Sequence, residues 1–209
     1  MSPSRTAAAD AAGARLAVAV LSSGGVAVLP TDTVYGLAAS PMQPNAVHEI
    51  FVAKGRPEGM HLPVLAASVA QVGALGVDIT PAAAILAEVW WPGPLTLAFG
   101  FVDGSARPSW LASRQEVAVR IPDHDFLRGI IHETGVLLVT SANRHGEPTA
   151  LTAADATGSL QADVGLVVDG GTLTNVPSTL VNVRGADPVV EREGAVSRAA
   201  IAAALERVT

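Results

Sequence analysis

Lysine occurs once in this sequence, at position 54, although the chain carries 13 Lys and Arg residues in total. It lies in the segment Lys54-Gly55-Arg56-Pro57, at the end of a helical apolar pattern that Pro57 must interrupt. A compact ammonium and a guanidinium two residues later can bind neighbouring oxygens of a polyphosphate. The alternative is a solvated helix end, where the helix dipole favours cations. The segment therefore indicates either a phosphate site or an ordinary helix terminus.

A second polar segment, Thr31-Asp32-Thr33-Val34-Tyr35-Gly36, directly follows an apolar stretch at 26–29 that predicts a buried strand. Thr31 and Thr33 share a face if the backbone stays extended, and two hydroxyls so placed can bind a small polar ligand. The alternative is a turn in which the threonine and aspartate side chains satisfy their own backbone. The segment alone leaves both interpretations open.

Two more polar features lie at predicted strand ends. Thr140-Ser141-Ala142-Asn143 follows the apolar stretch 136–139, and ligands of open α/β sheets gather at the carboxyl ends of strands. Arg120 ends the apolar stretch 117–119, where a charge needs either an ion-pair partner or a ligand. A structural salt bridge is the competing interpretation for Arg120.

The common nucleotide and hydrolase motifs are absent from the sequence. It contains neither Gly-x-x-x-x-Gly-Lys-[Ser/Thr] nor a Gly-x-Gly-x-x-Gly after a predicted strand, so an ATP site here must bind phosphate differently. His48-Glu49 and His132-Glu133 begin like a zinc-protease motif but lack its second histidine. No serine has glycine on both sides at a spacing of two, which leaves acyl transfer through serine without support.

Composition limits the remaining classes. A chain of 209 residues, 49% of them hydrophobic, is long enough for one α/β domain, which we expect to cover residues 1–209. No apolar run approaches the roughly 20 residues of a membrane span. The sequence has no cysteine, which excludes disulfides and thiolate chemistry and is compatible with the cytoplasm, the location we expect. The net charge of −6 argues against a surface that tracks long nucleic acid.

The spacing of apolar, glycine and proline residues predicts alternating helices and strands, which favours helices packed on a twisted sheet. The chain from Trp90 to Thr96 is interpreted as a rigid corner with a role in folding. Helices are expected at 7–22, 44–55, 80–91 and 123–133, with shorter ones after Ser68 and Ser197. Strands are expected at 26–29, 63–67, 95–102, 116–121, 136–139, 166–168, 178–183 and 189–191.

Six of these segments occur in the order seen in the YrdC-like family, which the chain resembles over about residues 20 to 195. The resemblance implies one α/β domain with a twisted, mostly mixed β-sheet, flanking helices and a concave ligand face, its core at about 20–195. It also points to the short members of the family, without an extra C-terminal domain. The six segments are Pro30 to Leu37, Lys54 to Pro57, Trp91 to Thr96, Val117 to Pro122, Ser141 to Asn143 and Pro177 to Thr179.

Members of that family convert L-threonine, bicarbonate and ATP into threonylcarbamoyl-adenylate and pyrophosphate. A separate transferase complex then uses the adenylate to make threonylcarbamoyladenosine in tRNA. The resemblance therefore implies an L-threonylcarbamoyladenylate synthase, a nucleotidyltransferase that meets the tRNA pathway only indirectly. Mg²⁺ is expected on the ATP phosphates, but the sequence assigns no ligands for it.

The resemblance also implies roles for ten residues. Those for L-threonine are Thr33, Arg120 and Ser178. Those for the nucleotide and its phosphates are Lys54, Arg56, His61, Ser141, Asn143, Thr149 and Arg192, of which Lys54 and Arg56 are the implied catalytic pair. Two alternatives remain for the function: a non-catalytic RNA-binding module of the same fold, and carbamoyl transfer to a different acceptor.

Overall fold

The computed structural model describes residues 4–57, 59–173 and 176–206. The first and last three positions of the expected 1–209 domain lie outside the described residues. The helices within these ranges are α1 (Ala11–Ser22), α2 (Pro44–Lys54), α3 (Val69–Gly73), α4 (Pro81–Trp90), α5 (Asp125–Thr134), α6 (Ala153–Ser159) and α7 (Arg198–Glu206), with a 3-10 turn at Ser109–Leu111.

The described strands form one sheet of ten in the order β1-β8-β2-β3-β7-β4-β6-β5-β9-β10. Neighbours are parallel at β1/β8, β8/β2, β4/β6 and β5/β9 and antiparallel elsewhere, which confirms the predicted α/β fold with a mixed sheet. The strands are β1 (Arg5–Ala8), β2 (Ala27–Leu29), β3 (Gly36–Ala39), β4 (Val64–Leu65), β5 (Leu95–Phe99), β6 (Val117–Arg120), β7 (Leu137–Ser141), β8 (Leu166–Asp169), β9 (Thr179–Asn182) and β10 (Val189–Arg192).

Helix boundaries follow the local capping chemistry that the sequence predicts. The Thr80 hydroxyl accepts from the backbone N–H of Ala83 at 3.2 Å, and Pro81 follows as the first residue of α4. Helix α2 ends at Gly55, whose φ of 56° is left-handed and therefore suited to glycine. Lys54 is consequently the last residue of α2, as expected.

Three elements differ from the expectation. The helix predicted from residue 7 is wrong at its start, because Arg5–Ala8 forms β1 beside β8. Helix α1 begins only after Asp10, whose carboxylate accepts from two backbone N–H groups at 2.9 Å. Strand β3 and helix α6 were not predicted. Strand β3 is made of small residues and leucine, so its strand state comes from pairing with β2 and β7.

Helices pack on both faces of the sheet. On one face α1 and α5 cover an apolar cluster that includes Leu21, Ile131 and Leu137. On the other face α2, α4 and α7 contribute to a larger cluster that includes Ile50 and Leu86. Within the described ranges, no helix has the length and apolarity that crossing a membrane requires. A cavity lies on the sheet face of α1 and α5, since Leu65 and Val139 belong both to the cluster on that face and to the cavity lining.

Candidate active site

A cavity of about 380 Å³ lies on the sheet face that α1 and α5 share. Its floor is made by alternate residues, since Glu116, Ala118 and Arg120 of the β6 segment all line it and the residues between them do not. Gly36 also belongs to the floor, and a Cβ there would come within 2.6 Å of the Val139 side chain. A larger residue at that position would have to displace the Val139 side chain.

Arg120 is the most constrained cation of the cavity, with only 6% of its surface exposed. Its Nε donates to the Gly93 carbonyl at 2.9 Å and its Nη1 donates to the Thr33 hydroxyl at 2.8 Å. Its Nη2 forms an ion pair with the Asp32 carboxylate. Burial lowers the pKa of Arg120, and the charge of Asp32 opposes that change. Arg120 therefore forms a structural salt bridge with Asp32 and also lines the cavity, where a ligand could contact it.

The segment from Thr31 to Val34 forms a bend in which the Thr31 side chain satisfies the backbone of its own segment, the second of the two interpretations given above. The Thr31 hydroxyl donates to the Val34 carbonyl at 2.8 Å and accepts from the Thr33 N–H at 3.0 Å. The two threonine hydroxyls are also 3.0 Å apart and both residues line the cavity. The hydrogen bonds of Thr31 to its own segment thus place the Thr31 and Thr33 hydroxyls next to each other, although the backbone bends there.

A second hydroxyl pair lies on the neighbouring strands. Thr96 and Ser178 share a hydrogen bond of 2.8 Å between their hydroxyls, and both are buried. Arg192 from β10 donates to the Ser178 carbonyl at 2.8 Å, and burial lowers the pKa of Arg192. Strand pairing of β5 with β9 and of β9 with β10 therefore places these three residues in one wall.

Arg56 forms part of another wall, two residues beyond the end of α2. Its guanidinium reaches the Thr140 hydroxyl and the His61 carbonyl, both at 3.4 Å, and its buried Nε has no hydrogen-bond partner in the described part of the chain. Burial lowers the pKa of Arg56. Among the described residues no carboxylate forms an ion pair with Arg56, so its charge is available to an anion in the cavity.

Lys54 and Asn143 lie next to this wall but do not line the cavity. The Lys54 ammonium donates to the backbone carbonyls of Ser141, at 2.5 Å, and of Asn143. Asn143 donates to the carbonyls of Arg144 and Glu147 at 2.9 and 2.7 Å, while its buried side-chain oxygen has no hydrogen-bond partner within the described ranges. Both side chains thus bind the loop that follows β7.

The structure brings eight of the ten expected site residues into one cavity. These are Thr33, Arg56, His61, Arg120, Ser141, Thr149, Ser178 and Arg192. The sequence reasoning missed Glu116 as a lining residue and Asp32 as the partner of Arg120. Glu116 could have been found from its two-residue alternation with Ala118 and Arg120. The pairing of Asp32 had no such signal, because it joins segments 88 residues apart.

The cavity is cationic within a chain whose net charge is −6. Arg56, Arg120 and Arg192 line it, and Glu116, which pairs with Arg184 at 3.0 Å, is the single lining carboxylate among the described residues. The described residues hold no group of three or more acidic or histidine side chains suited to a metal ion. These residues therefore fit an anionic ligand and do not fit a protein-held magnesium ion.

The titration of Lys54 gives a testable pH dependence. Burial, with a smaller contribution from the charge of Arg56, lowers the pKa of Lys54 from 10.5 to about 8. Between these values the unfolded chain binds more protons than the folded one, so the free energy of unfolding should rise with pH. Urea denaturation at several pH values should show this rise in the parent relative to Lys54→Met. Parallel pH dependence in the two proteins would contradict the assigned pKa.

A mixed α/β sheet with a cationic cavity rich in hydroxyl groups defines an α/β domain whose cavity is suited to an anionic ligand. The chain belongs to the Sua5/YciO/YrdC family, whose model carries the description "Telomere recombination" and matches residues 19–194. This confirms the family expected from the six segments.

The relatives and solved structures agree with that membership. The threonylcarbamoyl-AMP synthase of Bacillus subtilis (strain 168) is 34% identical over 191 residues, which cover 90% of this chain and 55% of the relative. The putative threonylcarbamoyl-AMP synthase of Mycobacterium leprae (strain TN) is 35% identical, covering 93% of this chain and 89% of the relative. The crystal structure of Pyrococcus abyssi Sua5 complexed with L-threonine matches with a TM-score of 0.85 and 30% identity, over 97% of this chain and 60% of that one.

The chain therefore spans about half the length of some curated relatives, 55% of the Bacillus subtilis protein and 53% of the Pyrococcus abyssi one. It spans most of the Mycobacterium leprae protein. Both classes of relative contain the matched region that carries the cavity.

Proposed function

We propose that this protein is an L-threonylcarbamoyladenylate synthase, which makes threonylcarbamoyl-AMP and pyrophosphate from L-threonine, bicarbonate and ATP. The observation that carries the proposal is the convergence of three arginines on a cavity of about 380 Å³ in an acidic chain. Relatives at 34–35% identity bear the name threonylcarbamoyl-AMP synthase, and a similar solved structure binds L-threonine. The charge of the cavity and the names of the relatives thus both favour a reaction on an anionic nucleotide.

Threonine is proposed to bind at the Arg120 end of the cavity. The Arg120 guanidinium pairs with the substrate carboxylate, while Thr33 and Ser178 supply hydroxyl contacts. The Asp32 ion pair and the Gly93 carbonyl hold that guanidinium in one orientation, so little ordering remains when threonine binds. Thr33 and Ser178 both line the cavity, and their hydroxyls are held by hydrogen bonds to Thr31 and Thr96.

The nucleotide is proposed to bind along the remaining walls. Arg56 and Arg192 neutralise phosphate charge, and neither has an ion-pair partner among the described carboxylates. His61, Ser141 and Thr149 supply polar contacts from the same cavity lining. The further assignments of Lys54 and Asn143 to the nucleotide stay predictions, since both side chains lie behind the lining.

No protein nucleophile is required by this reaction. The threonine amine and bicarbonate form a carbamate with loss of water. A carbamate oxygen then forms a bond to the α-phosphorus of ATP as the bond from that phosphorus to the β-phosphate bridging oxygen breaks and pyrophosphate leaves. The protein supplies positioning and charge neutralisation. Mg²⁺ stays a prediction: it would be bound by the phosphates and water, because the described residues do not form a site for it.

The proposed product belongs to tRNA modification, where a separate transferase complex would consume it. We also propose a cytoplasmic location, because ATP and threonine are both supplied there. Direct tRNA binding is not part of the proposal, since the cavity cations are few and the net charge is −6. Carbamoyl transfer to another acceptor and plain RNA binding become outcomes of the following test.

Pyrophosphate release from ATP should require L-threonine and bicarbonate together, because the attacking group is their carbamate. Release is measured in bicarbonate-depleted buffer with each substrate added alone and in combination, and mass spectrometry identifies the nucleotide product. Equal release with threonine alone would show ordinary aminoacyl adenylation. A carbamoylated product without threonine would show a different acceptor, and RNA binding without any release would favour the non-catalytic module.

A further inference from the structure

The Lys54 side chain is nearly completely buried, with 2% of its surface exposed. A charged ammonium in that environment needs hydrogen-bond partners, and Lys54 has two, the carbonyls of Ser141 and Asn143. No described carboxylate pairs with it. The partners belong to the last residue of β7 and to the loop beyond it.

The backbone of Lys54 binds the same loop. Its carbonyl accepts from the His145 N–H at 2.9 Å. The carbonyl of the preceding Ala53 accepts from the N–H of Gln161, which lies beyond α6 and outside that loop, at 2.7 Å. Asn143 closes the loop on itself through its amide nitrogen, which donates to two loop carbonyls. The end of α2 is therefore fastened to the β7 loop by both main chain and side chain.

This fastening joins two walls of the cavity. Arg56 lies two residues after Lys54 and reaches the hydroxyl of Thr140, the residue before Ser141. Ser141 lines the cavity while its carbonyl is bound by the ammonium. Because the ammonium fixes the Ser141 peptide and the chain leading to Arg56, it sets the spacing between these two lining side chains.

We propose that Lys54 is a positioning residue, whose buried ammonium holds the β7 loop and the end of α2 together so that Ser141 and Arg56 meet the nucleotide phosphates. It acts through those side chains and does not itself touch the phosphates. This inference rests on the proposed ATP site but differs from the expected direct role of Lys54. A misplacement of about 1 Å can reduce rates by roughly 10²-fold, so such a role is large enough to measure.

The loop part of the proposal is tested without substrate. Lys54→Met keeps the side-chain length but removes both hydrogen bonds, and Lys54→Arg keeps the charge in a wider group that cannot fit between the same carbonyls. Both variants should show faster hydrogen exchange in the peptide covering 140–147, by roughly tenfold or more. Arg107→Met is the matched control, because Arg107 also donates to two backbone carbonyls, at 2.9 and 3.3 Å, away from the cavity. Unchanged exchange in both Lys54 variants would overturn the proposal.

A double-mutant cycle tests how Lys54 acts on the reaction. We expect Lys54→Met to lower kcat/KM for ATP by roughly 10²-fold, and Ser141→Ala to add little in the Lys54→Met background. Direct contact of Lys54 with phosphate would instead make the two losses multiply. Parent-like kcat/KM for ATP in Lys54→Met, or independent losses in the cycle, would each overturn the positioning role.

A measurement on the parent protein covers the case in which the variants fail to fold. Lys54 is the only lysine, so ¹⁵N-lysine labelling gives one side-chain ammonium signal. With ¹³C also introduced at the backbone carbonyls, its couplings to the carbonyl carbons of Ser141 and Asn143 report the hydrogen bonds directly. These couplings should persist when ATP is added. Their loss on addition of ATP would show transfer of the ammonium to phosphate and overturn the proposal. Absence of adenylate synthesis in the parent would instead overturn the proposed function, while exchange and couplings would still decide the loop contact.

Discussion

Arg120→Met should raise the threonine concentration for half-maximal adenylate synthesis by roughly 10- to 100-fold, because a hydrogen bond to a charged group contributes about 1.5–3 kcal/mol. The same change should leave the half-maximal ATP concentration close to that of the parent. It should also lower the free energy of unfolding by about 3 kcal/mol, since the Asp32 carboxylate, 14% exposed, loses its partner. Calorimetric titration with threonine and urea denaturation measure the two effects separately.

The double variant Arg120→Met, Asp32→Asn separates binding from stability. Neutralising Asp32 removes the unpaired charge, so part of the lost stability should return. Threonine use should stay impaired, because the guanidinium that pairs with the substrate carboxylate is still missing. Threonine binding equal to the parent in the folded single variant would contradict the assignment of Arg120.

The starts of several helices could be predicted from the sequence, because capping residues and prolines act on the backbone next to them. Thr80-Pro81 and Ser68 began helices where predicted, and their hydroxyls accept the expected backbone N–H groups. Strand β3 was not readable, because Gly36, Leu37 and two alanines carry little strand preference. Its state is decided by partners on both sides, and those partners are distant in sequence.

The contrast between local signals and contacts distant in sequence also explains which parts of the candidate site could be predicted. Arg120 and Ser141, both at strand ends, line the cavity. They do not lie at the same end of the sheet, because Arg120 aligns with Leu65 and Leu65 with Leu137 at the start of β7, whereas Ser141 ends that strand. Lys54 was expected to face the phosphates from its residue type and its place at a helix end. The direction of its side chain depends instead on two carbonyls of a loop 87 and 89 residues away, which no local pattern reveals.

Arg56 offers the second large effect, because it is the lining arginine with the weakest contacts within the protein. Its two hydrogen bonds are 3.4 Å long and its buried Nε is unsatisfied among the described residues. Arg56→Met should therefore reduce adenylate synthesis by roughly 10²- to 10³-fold, the loss typical of a missing contact to developing negative charge. Arg56→Lys keeps the charge without the fork and should recover only part of the rate.

Stability is expected to respond to Arg56 in the opposite way from Arg120. Arg120 makes an ion pair and two hydrogen bonds, so its removal leaves buried polar groups without partners and destabilises the fold. Removal of Arg56 instead eliminates a partly desolvated cation that repels the nearby charge of Lys54. The free energy of unfolding of Arg56→Met should thus stay within about 0.5 kcal/mol of the parent or rise slightly. Urea denaturation of Arg56→Met and of Arg107→Met, together with turnover at saturating substrates, checks both parts. If Arg56→Met lost stability as Arg120→Met does, or kept parent turnover, the guanidinium would be a structural group and the phosphates would have to bind elsewhere.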